Sequence, residues 1–294
     1  MPEHAATPAD NRQGRAILYL LGAVLLFALL DCSVKLLSRE IPVPLLVWGR
    51  YTTHLLVMLL VLGPRLGRGL VRAGQLPLQV LRGLMLLGCT GFGFLALSKM
   101  PVAETTAVFF TSPLLVALLA GPWLGERLSL GRWLAALAGF AGILAIARPG
   151  SAMSMAGIEL ALSGAVCYAL YQLLTRQLAA HTPPLTLLFY TALLGTLGAT
   201  AGLPWFWPEH WLTPLQWLAV GLLGLFGGCG HFLLIHAFRN APASLLSPFL
   251  YVQLLWATLL GGLVFDHWPD GWSLAGMAVI IGSGLWLGVD SRRR

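Results

Sequence analysis

Two pairs of charged or titratable side chains lie inside long apolar runs of the sequence. Asp31 and Lys35 are four residues apart in the first run, and Arg50 and His54 are four apart in the second. Four residues is about one turn of a helix, so the members of each pair share a helix face. A charge in an apolar environment is costly unless it has a partner, so both pairs are candidate binding groups.

Each of these side chains allows two interpretations. Asp31 and Lys35 offer a carboxylate and an ammonium group to a zwitterionic solute, or they neutralise each other; Lys35 can also extend to a nearby interface. Arg50 suits a carboxylate bound through two parallel hydrogen bonds, or it pairs with Asp31 and locks the first two helices together. His54 can carry a proton, because imidazole titrates near neutral pH, or it is buried and neutral.

A polar stripe marks the sixth apolar run. Tyr168, Tyr171, Gln172 and Thr175 have the spacing of one helix face, and they lie in the middle of the run and beyond. Tyrosines that face an interface would cluster at the ends of the run instead. The stripe therefore predicts a face that lines a cavity, with hydrogen bonding between helices as the alternative.

The remaining candidates are aromatic or polar residues and two prolines in the interior of other runs. An aromatic ring there can hold the apolar part of a solute or close a gate, or it only packs against its surroundings. Pro113 and Pro248 each free a backbone carbonyl group and predict hinges. The other candidate binding residues are His231, Phe110, Tyr251, Gln253 and Trp256.

The composition shows which solvent these runs face. Of the 294 residues, 57% are hydrophobic and only 10% are charged, whereas soluble domains carry about 25% charged residues. Most of the surface must therefore contact lipid. The net charge of +7 comes from basic residues in short segments between the runs, a pattern typical of a membrane surface rather than of a nucleic-acid site.

Ten runs are long enough to be membrane helices, since a bilayer core needs about 20 apolar residues. They leave no segment for a soluble catalytic domain. Most Lys and Arg residues fall on the side of both termini, which predicts a multi-pass protein of the cell (inner) membrane with cytoplasmic termini. The runs cover about 16–38, 43–63, 77–98, 101–122, 131–148, 155–180, 184–203, 212–238, 242–264 and 271–289.

The second half of the chain repeats the first. Lys35 matches Arg176, and Pro101 matches Pro242, both at a spacing of 141 residues. Each repeat contains five runs, and five is odd, so the second repeat must enter the membrane from the opposite side. The predicted fold is all-α, with two inverted five-helix repeats. The predicted parts are a cytoplasmic tail 1–15, repeats 16–148 and 149–290, and a basic tail 291–294.

The chain resembles the drug/metabolite transporter superfamily in its ten-helix EamA branch. The resemblance rests on the A-x-x-x-x-P-x-x-E motif from Ala96 to Glu104, on L-G-E at 124–126, and on the G-x-x-L helices that close each repeat. The second repeat departs from it, because no acidic residue follows Pro242 at the position of Glu104. The resemblance implies export or uptake of amino acids and related small metabolites by alternating access.

The sequence therefore predicts a secondary active or facilitative transporter, exporting amino acids or related small polar metabolites through a cavity between the repeats, with proton coupling as an option. The alternatives are a broad exporter of drug-like or aromatic compounds and, with less support, an intramembrane lipid-modifying enzyme. We expect no enzymatic activity, cofactor, metal or nucleic-acid partner, because catalytic and metal-binding motifs are missing. The four cysteines lie in apolar runs and predict buried thiols rather than disulfides.

Overall fold

The computed structural model describes residues 8–61, 63–67, 74–124, 130–148, 153–179, 181–208, 211–241 and 243–290. This part of the chain forms α-helices and one short 3₁₀ helix, Leu203–Trp205, without strands. The α-helices are α1 Pro8–Leu37, α2 Val43–Val61, α3 Gly63–Leu66, α4 Leu76–Lys99, α5 Val102–Phe109, α6 Ser112–Leu124, α7 Leu130–Ile146, α8 Met155–Ala179, α9 Pro184–Gly202, α10 Pro214–Asn240, α11 Ala243–Leu250, α12 Val252–Phe265 and α13 Gly271–Asp290.

The ten predicted apolar segments are confirmed, and two of them are broken. Six helices are long and apolar enough to cross a membrane as single rods: α1, α2, α4, α8, α9 and α10. The fourth segment consists of two helices, α5 and α6, and the ninth consists of α11 and α12. α7 and α13 are the remaining shorter apolar helices. The first unit runs from α1 to α7, and the second runs from α8 to α13.

The break between α5 and α6 follows from Pro113. A proline has no amide hydrogen, so Pro113 cannot donate to the carbonyl group of Phe109 one turn earlier. The hydroxyl group of Ser112 donates to that carbonyl oxygen instead, at 2.5 Å, and the hydroxyl group of Thr111 donates to the carbonyl oxygen of Val108 at 2.6 Å. A helix break in an apolar environment is tolerated when side chains satisfy the freed backbone groups in this way.

The two units are related by an approximate two-fold axis. α1 packs against α10, and its counterpart α8 packs against α4. α2 packs against α10 in the same way that α9 packs against α4. α7 contacts its own counterpart α13, and α2 contacts its counterpart α9. This pattern is that of an inverted repeat, in which equivalent helices exchange partners across the axis.

α7 and α13 cross at a pair of glycines. A Cβ atom on Gly142 would lie 2.7 Å from the carbonyl oxygen of Gly276, and a Cβ atom on Gly276 would lie 2.5 Å from the carbonyl oxygen of Gly142. Small residues let two helix backbones approach closely in lipid, where packing drives helix association. The pair therefore fixes α7 against α13 and makes them a scaffold for the other helices.

The symmetry is broken at the two ends of the bundle, which we name by their residues. At the Glu104 end, where α1 and α12 finish and α5 starts, α5 packs against α12. At the termini end, where α1 starts and α13 finishes, the counterparts α6 and α11 form no comparable contact within the described residues. An apolar cluster also fills the Glu104 end, and it includes Leu30, Val34, Leu97, Val102 and Ala257.

Three polar contacts join the two units at the Glu104 end. The guanidinium group of Arg148 bonds to Asp270 and holds the pKa of that carboxyl group below its ordinary value, with help from the backbone amide of Ser273. These contacts add to the apolar cluster, so this end is closed. The three pairs are Glu40 with Gln216 at 3.0 Å, Glu104 with His267 at 3.2 Å, and Arg148 with Asp270 at 2.6 Å.

The α7–α13 crossing can be tested with a matched pair of substitutions in α13. We expect Gly276→Ala to lower the free energy of unfolding by about 1–3 kcal/mol, because the new methyl group overpacks the crossing. Gly282→Ala is the control, since nothing lies within 4 Å of a Cβ atom at that position. The measurement is thermal unfolding of the purified protein in detergent. Equal stability of the two variants would contradict the close approach.

Candidate functional site

A cavity of about 250 Å³ lies between the two units. Its walls come from both halves of the chain, including the broken segments α5–α6 and α11–α12. The scaffold helices α7 and α13 contribute none of its lining residues within the described part of the chain. Eight of the residues singled out from the sequence line this cavity: Asp31, Arg50, Phe110, Pro113, Tyr168, Gln172, His231 and Gln253.

Arg50 is held in the cavity wall by neutral partners. Its guanidinium group donates to the hydroxyl oxygen of Thr90 and lies 5.6 Å from the ring centre of Phe94. The hydroxyl group of Tyr51 bonds to the same Thr90 hydroxyl at 2.7 Å, and α10 offers Gly227 where a side chain would press on Arg50. The side chain is 9% exposed. The guanidinium group is therefore fixed in position, and its remaining N–H groups can donate hydrogen bonds into the cavity.

Asp31 is the acidic counterpart of Arg50 in the cavity lining. Its carboxylate accepts a long hydrogen bond of 3.4 Å from the amide group of Gln253 on α12. Within the described residues, Asp31 forms no ion pair with Lys35 or with Arg50, although both partners were considered from the sequence. The cavity thus presents one carboxylate and one guanidinium group that do not neutralise each other by contact.

Aromatic rings form much of the remaining wall. Phe110, at the break in the fourth segment, packs on Tyr251, at the break in the ninth, with ring centres 4.9 Å apart. Tyr168 stacks on Tyr171 at 5.8 Å with the ring planes 15° apart. His231 lies edge-on to Phe27. Flat rings beside a buried charge pair suit a solute that combines an aromatic group with a charged head.

Other residues predicted for the site lie elsewhere. Lys35 lines a separate pocket at the Glu104 end. His54 is buried against Gly228 of α10, and its Nε2 atom has no hydrogen-bond partner within the described residues. Trp256 packs on an apolar cluster formed by α1, α10 and α11. The roles assigned to these residues stay predictions.

Two aromatic residues and one proline complete the account. Tyr171 shares the helix face of Tyr168 but bonds to Arg82 rather than lining the cavity. Tyr251 contacts Phe110 without being a lining residue itself. Pro248 lies within α11, but its side chain falls outside the described residues, so its predicted hinge role is untested.

The sequence did not single out Arg82, which was counted among the basic residues of short connecting segments. The structure buries it on α4 with 2% exposure. Its position inside an apolar run, as for Arg50, was the signal that could have identified it. The guanidinium group donates to the hydroxyl groups of Thr175, Thr191 and Tyr171 at 2.7–2.8 Å and to the carbonyl oxygen of Leu187 at 2.9 Å.

Arg82 is therefore a clamp between the two units. Its partners lie on α8 and α9, whereas Arg82 itself lies on α4 of the first unit. One of these partners, Tyr171, stacks on the ring of Tyr168, and Tyr168 lines the cavity. Arg82 acts on the cavity wall through Tyr171 rather than by lining the cavity.

Comparison with known proteins agrees with this architecture. The profile of the EamA-like transporter family matches residues 14–148 and 155–288, one match for each unit. The chain belongs to the EamA-like transporter family. It is a membrane transporter with two five-helix units of inverted topology, as the resemblance implied.

Curated relatives carry transport names. The chain is 26% identical to an S-adenosylmethionine uptake transporter of Rickettsia bellii, over 75% of each protein. It is 28% identical to a riboflavin transporter of Vibrio cholerae, over 90% of this chain and 89% of the relative. A crystal structure with 25% sequence identity superimposes with a TM-score of 0.64, covering 97% of this chain and 98% of the other.

The clamp predicts a difference between two arginines of the termini end. Arg82→Ala removes four hydrogen bonds that join α4 to α8 and α9, so we expect a loss of stability of about 1–3 kcal/mol. Arg239→Ala, on the exposed end of α10, should change stability by less than about 0.5 kcal/mol. Thermal unfolding in detergent measures both. An Arg82 variant as stable as the Arg239 variant would show that Arg82 does not join the units.

Proposed function

We propose that the protein carries a small metabolite with an aromatic ring and an amino-acid-like head across the inner membrane by alternating access. The observation that carries this proposal is the cavity lining, in which Asp31 and Arg50 lie beside aromatic rings and form no ion pair within the described residues. This substrate class includes aromatic amino acids and amino-acid-derived metabolites, and it refines the prediction of a transporter for amino acids or related metabolites.

Each part of such a solute has a matching group in the cavity. Arg50 binds its carboxylate through paired hydrogen bonds, which a guanidinium group forms better than an ammonium group. Asp31 binds its positive group. Phe110 and Tyr168 offer ring faces for the aromatic part, and Gln172, whose side chain has no hydrogen bond within the described residues, offers an amide.

The relatives support this substrate class. S-adenosylmethionine, the substrate named for the Rickettsia relative, contains a purine ring, a positive sulfonium group and an amino-acid head. Riboflavin, named for the Vibrio relative, supplies a large flat ring system. The ring faces of the cavity suit the flat ring that both solutes contain, and Asp31 and Arg50 offer charges of both signs for an amino-acid head.

Alternating access would use the two breaks as hinges. The Glu104 end is closed by α5 on α12, whereas α6 and α11 form no comparable contact within the described residues. With cytoplasmic termini, as the distribution of basic residues predicts, this state faces inward. A movement about Phe110 and Tyr251 that separates α5 from α12 and joins α6 to α11 would produce the opposite state.

A broad exporter of aromatic cations is the second candidate, and Asp31 among aromatic rings is the observation that favours it. Arg50 distinguishes the two proposals. Loss of the Arg50 charge should raise the transport rate of a cation exporter, because a like charge leaves the cavity. The same loss should lower the rate of a carrier of amino-acid-like solutes, because the solute carboxylate loses its partner.

Counterflow in proteoliposomes tests the function directly. Proteoliposomes loaded with unlabelled solute should accumulate the labelled form of S-adenosylmethionine or tryptophan, which combine an aromatic ring with an amino-acid head. Riboflavin and methionine each have one of these two features and serve as comparison solutes. Arg50→Ala should lower this rate about tenfold or more, because a hydrogen-bonded charge contact is lost, while expression is maintained.

Arg239→Ala is the control and should transport at the parent rate. Exchange of neither S-adenosylmethionine nor tryptophan would refute the proposed substrate class. Faster transport of an aromatic cation by the Arg50 variant would favour the second candidate. Unchanged amino-acid counterflow in the Arg50 variant would remove this residue from the site.

The orientation of the chain has a separate test. Reporter fusions at the N- and C-termini, one active only in the cytoplasm and one only outside it, should place both termini in the cytoplasm. Termini on opposite sides of the membrane would contradict the ten-span topology, and two external termini would reverse the orientation.

A further inference from the structure

An unusual buried carboxylate lies at the closed end of the bundle. Glu104 is in the first turn of α5 and is 1% exposed. One of its oxygen atoms bonds to Nε2 of His267 at 3.2 Å, and the other, Oε2, has no partner within the described residues. His267 follows α12 in the second unit, and a third of its side chain is exposed. The partly exposed imidazole of His267 thus covers the buried carboxylate of Glu104.

This pair stabilises the closed end only while it is intact. Breaking a buried pair by removing one partner leaves an uncompensated charge, which costs more than the pair itself contributes. Loss of His267 would leave the Glu104 carboxylate buried with no side-chain partner, and opening of the end would return it to water. We name the Glu104–His267 pair the latch. The matching position of the second unit, Leu245, carries no acid, so the latch exists at one end.

A second pocket of about 160 Å³ adjoins the latch at His267, the partly exposed member of the pair. Its lining residues are Lys35, Pro101, Val102, Gly261, Phe265 and His267. The ammonium group of Lys35 forms no hydrogen bond or ion pair within the described residues, and Arg39 lies over the ring of Phe265, 5.2 Å from its centre.

The charges around this pocket favour an anion. Lys35 and Arg39 are cationic, and Glu104, which bonds to the lining residue His267, is already engaged there. Asp266 ends α12 beside the pocket but does not line it. Glu40 bonds to Gln216, and Asp270 bonds to Arg148, so both are occupied.

The pocket and the central cavity lie on the two sides of one apolar plug. Leu30 and Leu97 line the central cavity, and Val102 lines the outer pocket. All three belong to the buried cluster that closes the Glu104 end, together with Val34 and Ala257. The outer pocket is therefore where a solute would meet the closed gate from the Glu104 side.

We propose that the pocket beside Lys35 is an anion subsite, and that a carboxylate or phosphate group bound there competes with Glu104 for His267 and so opens the latch. The anion gains the charge of Lys35 and a hydrogen bond with His267. Glu104 loses its partner, and the closed state loses stability relative to the open one. This deepens the proposed function, on which it rests: the head group that Arg50 binds inside would first be bound here.

Cys89 supplies a reporter for the state of the gate. Its side chain lines the central cavity, beneath the plug. In a background with Cys32→Ala, Cys167→Ala and Cys229→Ala, a membrane-impermeant thiol reagent added on the Glu104 side labels Cys89 only when that end opens. The labelling rate needs no transport, so the result is independent of whether the proposed substrates are correct.

The latch is tested with a single and a double substitution. His267→Ala should raise the labelling rate about tenfold or more, since a buried carboxylate loses a charged hydrogen bond. Glu104→Gln combined with His267→Ala should bring the rate back toward the parent, because the buried group is then neutral. Thermal unfolding in detergent at the parent temperature shows that each variant is folded. Equal rates in the parent and in His267→Ala would refute the latch.

The anion subsite is tested with sodium acetate as the probe, against sodium chloride at equal ionic strength. Acetate should increase the labelling rate several-fold in neutral phosphatidylcholine vesicles. Lys35→Gln should abolish this increase, whereas Lys99→Gln, an exposed lysine at the same end that does not line the pocket, should retain it. No effect of acetate or of inorganic phosphate on the parent would overturn the subsite, and so would an effect that survives in Lys35→Gln.

Lipid head groups are the other source of the same chemistry. If vesicles containing phosphatidylglycerol accelerate labelling without acetate, and Lys35→Gln removes that acceleration, the subsite is supported with a head group as its occupant. A response to acetate in neutral vesicles supports occupation by a soluble anion. The two arms separate the sources while testing the same residues.

Discussion

The structure depends on the requirement that every backbone polar group be satisfied where no water is present. This requirement makes the apolar runs helical, and it decides where a helix can break. Pro113 removes one amide hydrogen, and the hydroxyl group of Ser112 bonds to the carbonyl group that is left over. The break, at Phe110, lies against the cavity rather than against lipid, and it faces the equivalent break at Tyr251 in the other unit. The helix breaks at Phe110 and Tyr251 therefore meet at the cavity and provide the points about which the bundle can bend.

The charged residues buried in the bundle fall into three groups. Arg82 donates to four acceptors on the opposite unit and has a structural role, whereas Arg50 and Asp31 keep capacity that faces the cavity. Among the described residues, no carboxylate contacts either arginine, and neutral hydrogen-bond acceptors surround both. Glu104 differs again, because its single side-chain partner belongs to a segment that must move when the end opens. Burial, the number of partners and the element that carries them distinguish the three cases.

The outcome for particular residues shows what spacing can predict. Asp31 and Arg50 were selected because a charge within an apolar run needs a cavity or a partner, and both line the cavity. The same logic selected Tyr171 and Lys35, which do not line this cavity, since periodicity gives a helix face and not the neighbour that covers it. Arg82 was missed because it lies near the start of its apolar run and was counted with the basic residues of the connecting segments. The pairing of Glu104 with His267 joins residues 163 positions apart, and no spacing within one helix encodes it.

The sequence by itself determined the number of apolar segments, their inverted repetition and the residues that had to face something other than lipid. It did so because hydrophobic length, helical periodicity and charge placement are local properties of the chain. Only the tertiary structure decided which polar residues meet, which end of the bundle is closed, and which side chains remain unpaired in the cavity. Those outcomes depend on contacts between units that are distant in sequence. The two units have similar apolar patterns, so the difference between the closed end and the other end arises from contacts between units: the packing of α5 on α12 and the polar pairs at the Glu104 end.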